Sequence, residues 1–140
     1  MQNLNVEVLA ISTDSHFTHK AWQEQELSQM IEGGAPYPLL SDPDGSIGKA
    51  YNVYDDNLKV NLRGKFLIDP QGVLQAMEIL NEPVGRNMDE LVRQVEAFQY
   101  ISENEEEAAP AGWEKGKQTL KPAPGLVGKV HESWSKGELE

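Results

Sequence analysis

Two arginines stand out among the residues that could do chemistry, because each falls at the end of a predicted element. Arg63 lies at the entry of an apolar strand pattern in the segment 61–66, and Arg86 directly precedes a helix pattern. Each could be an ordinary surface charge, which is the usual role of an arginine. Two guanidinium groups at neighbouring element ends could instead stabilise an anion or a thiolate. The residues alone leave these two interpretations about even.

Two histidines are candidate metal ligands. His16 and His19 are three residues apart and follow Asp14, so a helix would place both rings on one face. No third ligand stands at a recognisable spacing, and histidines near a helix start more often make packing or capping contacts. We therefore predict no metal site here.

The segment that begins at Asp42 has some features of a calcium loop, since Asp44 and Ser46 follow at alternate positions. Such a loop needs glycine at its sixth position, where Ile47 stands, and a glutamate at its twelfth, which is missing. A turn followed by a helix cap explains these residues better. Phosphate-binding glycine loops and serine-nucleophile motifs are also missing, so we expect neither a cofactor nor serine-based hydrolysis.

The charge and the missing cysteine exclude several classes of function. The chain has 140 residues, a net charge of −11 and no cysteine. Such an acidic chain is repelled by nucleic acids and by anionic membranes. It contains no disulfide, thiolate metal site or cysteine nucleophile of its own, which fits a reducing compartment. Without a signal-peptide pattern or an apolar run of about 20 residues, we expect a cytoplasmic protein.

The first half of the chain predicts alternating strands and helices. The segment 5–12 ends in a continuous apolar run, which is typical of a strand buried on both faces. A helix is predicted over 17–31, ending at two glycines. Leu39 and Leu40 form a very short strand, and Asp44 could cap a short helix that runs through Tyr51.

The second half predicts a hairpin and a long helix. Strands over 64–68 and 73–80 flank the four-residue turn 69–72. Asn87 would cap a helix whose apolar residues recur every three or four positions, namely Met88, Leu91, Val92, Val95, Phe98 and Ile101.

The composition changes after Tyr100, where glutamates, prolines and glycines replace the periodic pattern. We therefore predict an α/β sandwich over residues 1–102 and an extended arm over 103–140 that wraps a surface or a partner. Only about three strands are well marked, so the helices' apolar faces would be poorly covered.

Several separate motifs occur in a characteristic order and spacing across nearly the whole chain. They lie at residues 8–22, 37–42, 63–72, 83–87, 95–100 and 110–113. In these motifs the chain resembles a known family, the typical two-cysteine peroxiredoxins, also called alkyl hydroperoxide reductase C or thioredoxin peroxidase.

The resemblance implies a thioredoxin-like fold and antioxidant defence by reduction of hydrogen peroxide, organic hydroperoxides and sometimes peroxynitrite. A peroxidatic cysteine attacks the peroxide, a resolving cysteine then forms a disulfide, and thioredoxin or a dedicated reductase reduces it. Arg63 matches the arginine that lowers the thiolate's pKa and orients the peroxide, and Arg86 resembles a second arginine of that network. The resemblance also implies edge-to-edge dimers through Val73–Leu80, often assembled into decamers.

Two departures from the family concern the redox centres. The peroxidatic cysteine belongs to a Pro-x-x-x-Thr-x-x-Cys segment that precedes every motif matched here, and Ala109 occupies the resolving position. Two elements linked to easy overoxidation are also replaced. Residues 33–36 stand in place of the Gly-Gly-Leu-Gly element, and Trp134 stands near the expected Tyr-Phe pair.

Three hypotheses follow. In the first, the chain is an N-terminally truncated peroxidase whose cysteine or selenocysteine lies upstream of Met1. In the second, it is a redox-inactive relative that acts as an oligomer-forming interaction or chaperone-like subunit. In the third, which has the least support, it binds a small molecule. The retained Arg63 and Arg86 favour the first hypothesis.

Overall fold

A computed structural model describes residues 2–134, which divide into two compact units. The first unit ends at Arg86 and the second begins at Asn87. The predicted boundary between residues 102 and 103 stays a prediction, and the last six residues of the predicted arm lie outside the described residues.

The first unit opens with a parallel pair of strands connected by a helix. Strand β1 (Ala10–Ser12) pairs with β2 (Leu39–Ser41). Helix α1 (His16–Trp22) continues through a π-helical segment (Gln23–Leu27) into α2 (Ser28–Met30). The helix predicted over 17–31 and the short strand at Leu39 are therefore confirmed.

The predicted burial of the first strand on both faces is wrong for the described residues. Leu9 is 56% exposed, and Ile11 is also exposed. The reason is that β1 belongs to a sheet of only two strands within residues 2–134, so few side chains are available to cover its faces.

A short helix, α3 (Ser46–Ala50), depends on Asp42 more than on the predicted cap Asp44. The Asp42 side chain is 2% exposed and accepts hydrogen bonds from the backbone N–H groups of Ile47 (3.1 Å) and Gly48 (2.8 Å). Asp44 accepts one, from the N–H of Ser46 (3.0 Å). The residue pattern therefore predicted the turn but not its main hydrogen-bond acceptor.

Two antiparallel hairpins complete the first unit. The first joins β3 (Tyr54–Asp55) to β4 (Val60–Asn61) and was not predicted. The second joins β5 (Arg63–Ile68) to β6 (Leu74–Leu80), which confirms the predicted hairpin. Its turn uses Gly72 at φ 83°, a conformation that glycine adopts without strain.

The second unit consists of helix α4 (Met88–Glu103) and a chain segment that folds back on it. Asn87 caps α4 by accepting a hydrogen bond from the Glu90 N–H (3.0 Å), as predicted. The returning segment inserts Trp113, which is 2% exposed, and its ring lies 5.0 Å from that of Tyr100. A 3₁₀ turn (Pro124–Leu126) and helix α5 (Val130–Ser133) follow.

We expect Asp42→Ala to destabilise the first unit by about 3 kcal/mol, because the substitution leaves buried N–H donors at the start of α3 without an acceptor. Asp44→Ala is the matched control and should cost about 1 kcal/mol or less, since Asp44 is exposed. The free energy of unfolding in urea measures both. Equal losses for the two variants would show that Asp42 has no special role.

We also expect the isolated 140-residue chain to be marginally stable or to aggregate. Many large apolar side chains are exposed in the first unit, among them Leu9, Phe17, Met30, Ile31 and Leu58. Light scattering and a thermal melt test this expectation. A sharp, high-temperature, two-state melt of a monomer would contradict it.

Candidate active site

Arg63 is the first residue of β5 and lies opposite Leu80, the last residue of β6. Its side chain is 52% exposed, and one guanidinium nitrogen lies 3.9 Å from a carboxylate oxygen of Glu82. Glu82 is itself highly exposed, so this long ion pair contributes little. Arg63 therefore keeps most of its donor capacity at the open end of the hairpin.

Arg86 reaches the same end of the hairpin. Its Nη2 donates a hydrogen bond to the backbone carbonyl of Gly64 (3.2 Å), the residue next to Arg63. The two arginines are 23 positions apart in sequence, and this hydrogen bond brings the Arg86 guanidinium to the residue next to Arg63. The two predicted site residues therefore lie at the same end of the hairpin.

Lys65 forms the next cationic position on the same face of β5, because alternate residues of a strand share a face. It pairs in register with Glu78, and its Nζ lies 3.1 Å from a Glu78 carboxylate oxygen. The Lys65 side chain is only 9% exposed. Within the described residues, neither Lys65 Nζ nor Glu78 Oε2 makes a well-directed hydrogen bond. The contact is therefore an ion pair without a hydrogen bond.

The positive charges along the hairpin therefore differ in how closely a carboxylate compensates them. Glu78 compensates Lys65, whereas within residues 2–134 no carboxylate lies as close to Arg63 or Arg86. A guanidinium group is permanently charged and presents several N–H donors in a fixed plane. The open end of the hairpin can therefore bind an anion or hold a thiolate and a polar oxygen substrate.

The predicted resolving position lies in the second unit. Ala109 is half-buried and follows Ala108, which forms an isolated antiparallel bridge with Leu120. An alanine side chain carries no redox chemistry.

The two histidines lie in different surroundings. His19 is buried, and its Nε2 lies 2.7 Å from the Ser12 hydroxyl, which donates to Asp14 (2.8 Å). His16 is exposed. Within residues 2–134, no three metal-ligand side chains of the His, Cys, Asp or Glu type cluster together.

Sequence reasoning missed the Lys65–Glu78 pair. The opposite charges were visible, but their register depends on a bulge between Leu67 and Ile68. Counting from the Ile68–Leu74 pair without the bulge would pair Lys65 with Met77 instead. An irregularity of one residue therefore decided which side chains meet.

Comparison with known proteins identifies the class of this fold and site. The profile of the AhpC/TSA family matches residues 1–77, which include Arg63. The chain is 55% identical over 135 residues to the selenocysteine-containing peroxiredoxin PrxU of Peptoclostridium acidaminophilum, covering 96% of this chain and 66% of that protein. It is 42% identical to alkyl hydroperoxide reductase C of Amphibacillus xylanus, covering 93% and 68%.

Solved structures agree. The reduced 2-Cys peroxiredoxin of Plasmodium vivax superimposes with a TM-score of 0.83 at 36% identity, covering 95% of this chain and 67% of that one. AhpC of Enterococcus faecalis gives 0.71 at 37% identity, covering 78% and 64%. The chain therefore belongs to the AhpC/TSA family and has the thioredoxin-like fold of the peroxiredoxins, which confirms the α/β fold class.

Two further findings concern the length of the chain and its helices. The chain spans about two thirds of the length of the PrxU and alkyl hydroperoxide reductase C relatives named above. In the part of the chain that the structure describes, no helix has both the length and the apolar character needed to cross a membrane.

We expect Glu78→Gln to destabilise the first unit by about 2 kcal/mol, because it leaves the buried Lys65 charge uncompensated. Replacing the pair together, by Lys65→Met with Glu78→Leu, should be neutral or stabilising. The exposed Lys20–Glu24 pair is the matched control, and Glu24→Gln should cost about 0.5 kcal/mol. Urea unfolding gives all three values, and a Glu78→Gln loss as small as the control's would contradict the assignment.

Proposed function

We propose that this chain is the arginine-bearing part of a peroxidase that reduces hydrogen peroxide and organic hydroperoxides. The nucleophile would be a cysteine or selenocysteine outside these 140 residues, since the chain contains no cysteine. The observation that carries the proposal is the convergence of Arg63 and Arg86 at one end of the hairpin. The 55% identity to a selenocysteine-containing peroxiredoxin supports it.

The chemistry needs what these arginines can provide. A thiolate or selenolate attacks the terminal peroxide oxygen, the O–O bond breaks, and the leaving alkoxide or hydroxide takes up a proton. The nucleophile becomes a sulfenic or selenenic acid. Arg63 would stabilise the anionic nucleophile and the developing charge on the leaving oxygen. Arg86, anchored on the Gly64 carbonyl, would support Arg63 in that position.

We also propose a reductant, a cellular location and an oligomeric state for the protein. A thioredoxin-like reductant would return the oxidised nucleophile to its reduced form, and the protein would act in the cytoplasm. Strand β6 has one unpaired edge among the described strands, and Leu74, Met77 and Ile79 on it are exposed. A second copy could pair along Val73–Leu80, giving a homodimer that could assemble into a decamer.

One observation favours a second candidate. Neither redox centre of the family is present in these 140 residues, so a redox-inactive subunit that joins oligomers or acts like a chaperone is the alternative. It would reach its partners through the same β6 edge. Copurification with a full-length family member would support it, and a lone monodisperse monomer would count against it.

The intact mass of the protein in its source cells separates the two candidates. A mass several kilodaltons above 15.6 kDa would show that the native protein carries further residues, and reading the DNA upstream of the first codon identifies the nucleophile. If the mass is 15.6 kDa and the upstream DNA encodes no cysteine or selenocysteine nucleophile, the redox-inactive subunit would be left as the function.

We expect the 140-residue chain alone to consume no peroxide in a thiol-dependent assay, because it holds no thiolate or selenolate. In the longer protein, Arg63→Met should lower the second-order rate constant for peroxide about 100-fold and raise the pKa of the nucleophile. Arg63→Lys should recover only part of the loss, because lysine keeps the charge but not the planar fork.

Lys20→Met is the matched control, since it removes an exposed positive charge from α1. Its rate constant should stay unchanged. Peroxide turnover by the isolated chain would overturn the proposal that the nucleophile lies outside these 140 residues. An Arg63→Met rate equal to the control's would overturn the proposed role of Arg63.

A further inference from the structure

One face of the β5–β6 hairpin carries two positive charges, and only one of them has a carboxylate directly opposite. Arg63 and Lys65 are two positions apart on β5, so their side chains leave the same face of the strand. The register places Leu80 opposite Arg63 and Glu78 opposite Lys65. The carboxylate therefore stands beside Lys65, although all four side chains share one face.

The contact between Lys65 and Glu78 is largely withdrawn from solvent. The Lys65 side chain is 9% exposed, and its Nζ lies 3.1 Å from Glu78 Oε2. Both atoms are buried, although the Glu78 side chain as a whole is 36% exposed. Because water and salt screen buried charges less than surface charges, the attraction between the two groups holds Glu78 in place.

Glu78 is also within reach of Arg63. The two residues are diagonal neighbours on the hairpin, because Glu78 lies two positions before Leu80, which pairs with Arg63. Diagonal neighbours of an antiparallel pair are about 7–8 Å apart, a distance that long side chains span. A guanidinium group can bind a carboxylate through two parallel hydrogen bonds. Without Lys65 as a competing cation, Glu78 would therefore pair with Arg63.

The carboxylate that does approach Arg63 occupies it only weakly. Glu82 lies 3.9 Å from the guanidinium group, and its side chain is 84% exposed. Water and dissolved salt screen such a pair, so Arg63 keeps its donors available. Glu78 differs because its Oε2 atom is buried, and a pair formed with a buried carboxylate would be screened less.

We propose that Lys65 is a positioning residue for Arg63. By pairing with Glu78, Lys65 holds that carboxylate away from the guanidinium group and leaves Arg63 free to bind an external anion. The inference deepens the proposed function, on which its role in peroxide reduction rests. Anion binding to Arg63 needs no nucleophile, so the positioning role is tested separately from peroxidase activity.

Sulfate binding to the 140-residue chain tests the proposal. The backbone amide signal of Gly64, the residue next to Arg63, reports binding in an NMR titration with sodium sulfate at constant ionic strength. In Lys65→Met we expect the dissociation constant for sulfate to rise about tenfold, because Glu78 then occupies Arg63. Arg63→Met should abolish the response, and a response that persists in that variant would overturn the proposal.

Two further variants separate positioning from stability. Glu78→Gln should lower the dissociation constant about threefold, because it leaves the Lys65 charge uncompensated near Arg63. Lys65→Met together with Glu78→Leu removes both charges and should restore the affinity of the unsubstituted chain. Weaker sulfate binding in both single variants, or in the double variant, would show a purely structural role and overturn the proposal.

The double variant also guards against a folding defect. Replacing a buried ion pair by apolar residues is often neutral or stabilising, so this variant should fold even where Glu78→Gln does not. Lys20→Met is the matched control, because it removes a positive charge from the exposed Lys20–Glu24 pair. Its dissociation constant for sulfate should stay unchanged, and a rise equal to that of Lys65→Met would contradict a specific role for Lys65.

The same variants in the longer protein extend the test to peroxide reduction. Lys65→Met should lower the second-order rate constant for peroxide about tenfold, and adding Glu78→Leu should restore it. If sulfate binding follows the expected order but no variant reduces peroxide, the positioning role stands and the peroxidase function fails. If peroxide is reduced but Lys65→Met changes neither sulfate binding nor the rate constant, the positioning role is overturned.

Discussion

The antiparallel pairing of β5 with β6 is the constraint on which the candidate site depends. The pairing sets Arg63 opposite Leu80, so the chain leaves β6 at the same end of the hairpin at which β5 begins. Only five residues separate that strand from Arg86, which is why its side chain reaches the Gly64 carbonyl. A slip of one residue would turn every β6 side chain to the opposite face and separate Lys65 from Glu78.

The acidic surplus of the chain has a structural use that composition alone does not reveal. Asp42 caps α3, Asp69 accepts hydrogen bonds from the N–H groups of Gln71 and Val73 in the hairpin turn, and Glu107 accepts hydrogen bonds from the hydroxyl groups of Tyr100 and Thr119. Each carboxylate accepts hydrogen bonds from backbone N–H or hydroxyl groups that would otherwise be unpaired. A net charge of −11 is therefore compatible with a local cationic site at the hairpin end.

The two units differ in how they are held together. The first relies on short parallel and antiparallel strand pairs, and several of its large apolar side chains stay exposed. The second buries Trp113 beside a single helix and fixes the returning chain with one mostly buried carboxylate. Members of the AhpC/TSA family named above are longer, and the exposed apolar faces of the first unit are surfaces that further protein can cover.

The sequence by itself determined the features that depend on near neighbours. The helix capped by Asn87, the turn at residues 69–72 and the family motifs around Arg63 and Arg86 all follow from residue types a few positions apart. Only the tertiary structure decided the hairpin register, the choice of Asp42 over Asp44 as the main cap and the hydrogen bond that Thr119 donates to Glu107. Those outcomes depend on a one-residue bulge, on burial and on contacts between distant residues, which local patterns do not specify.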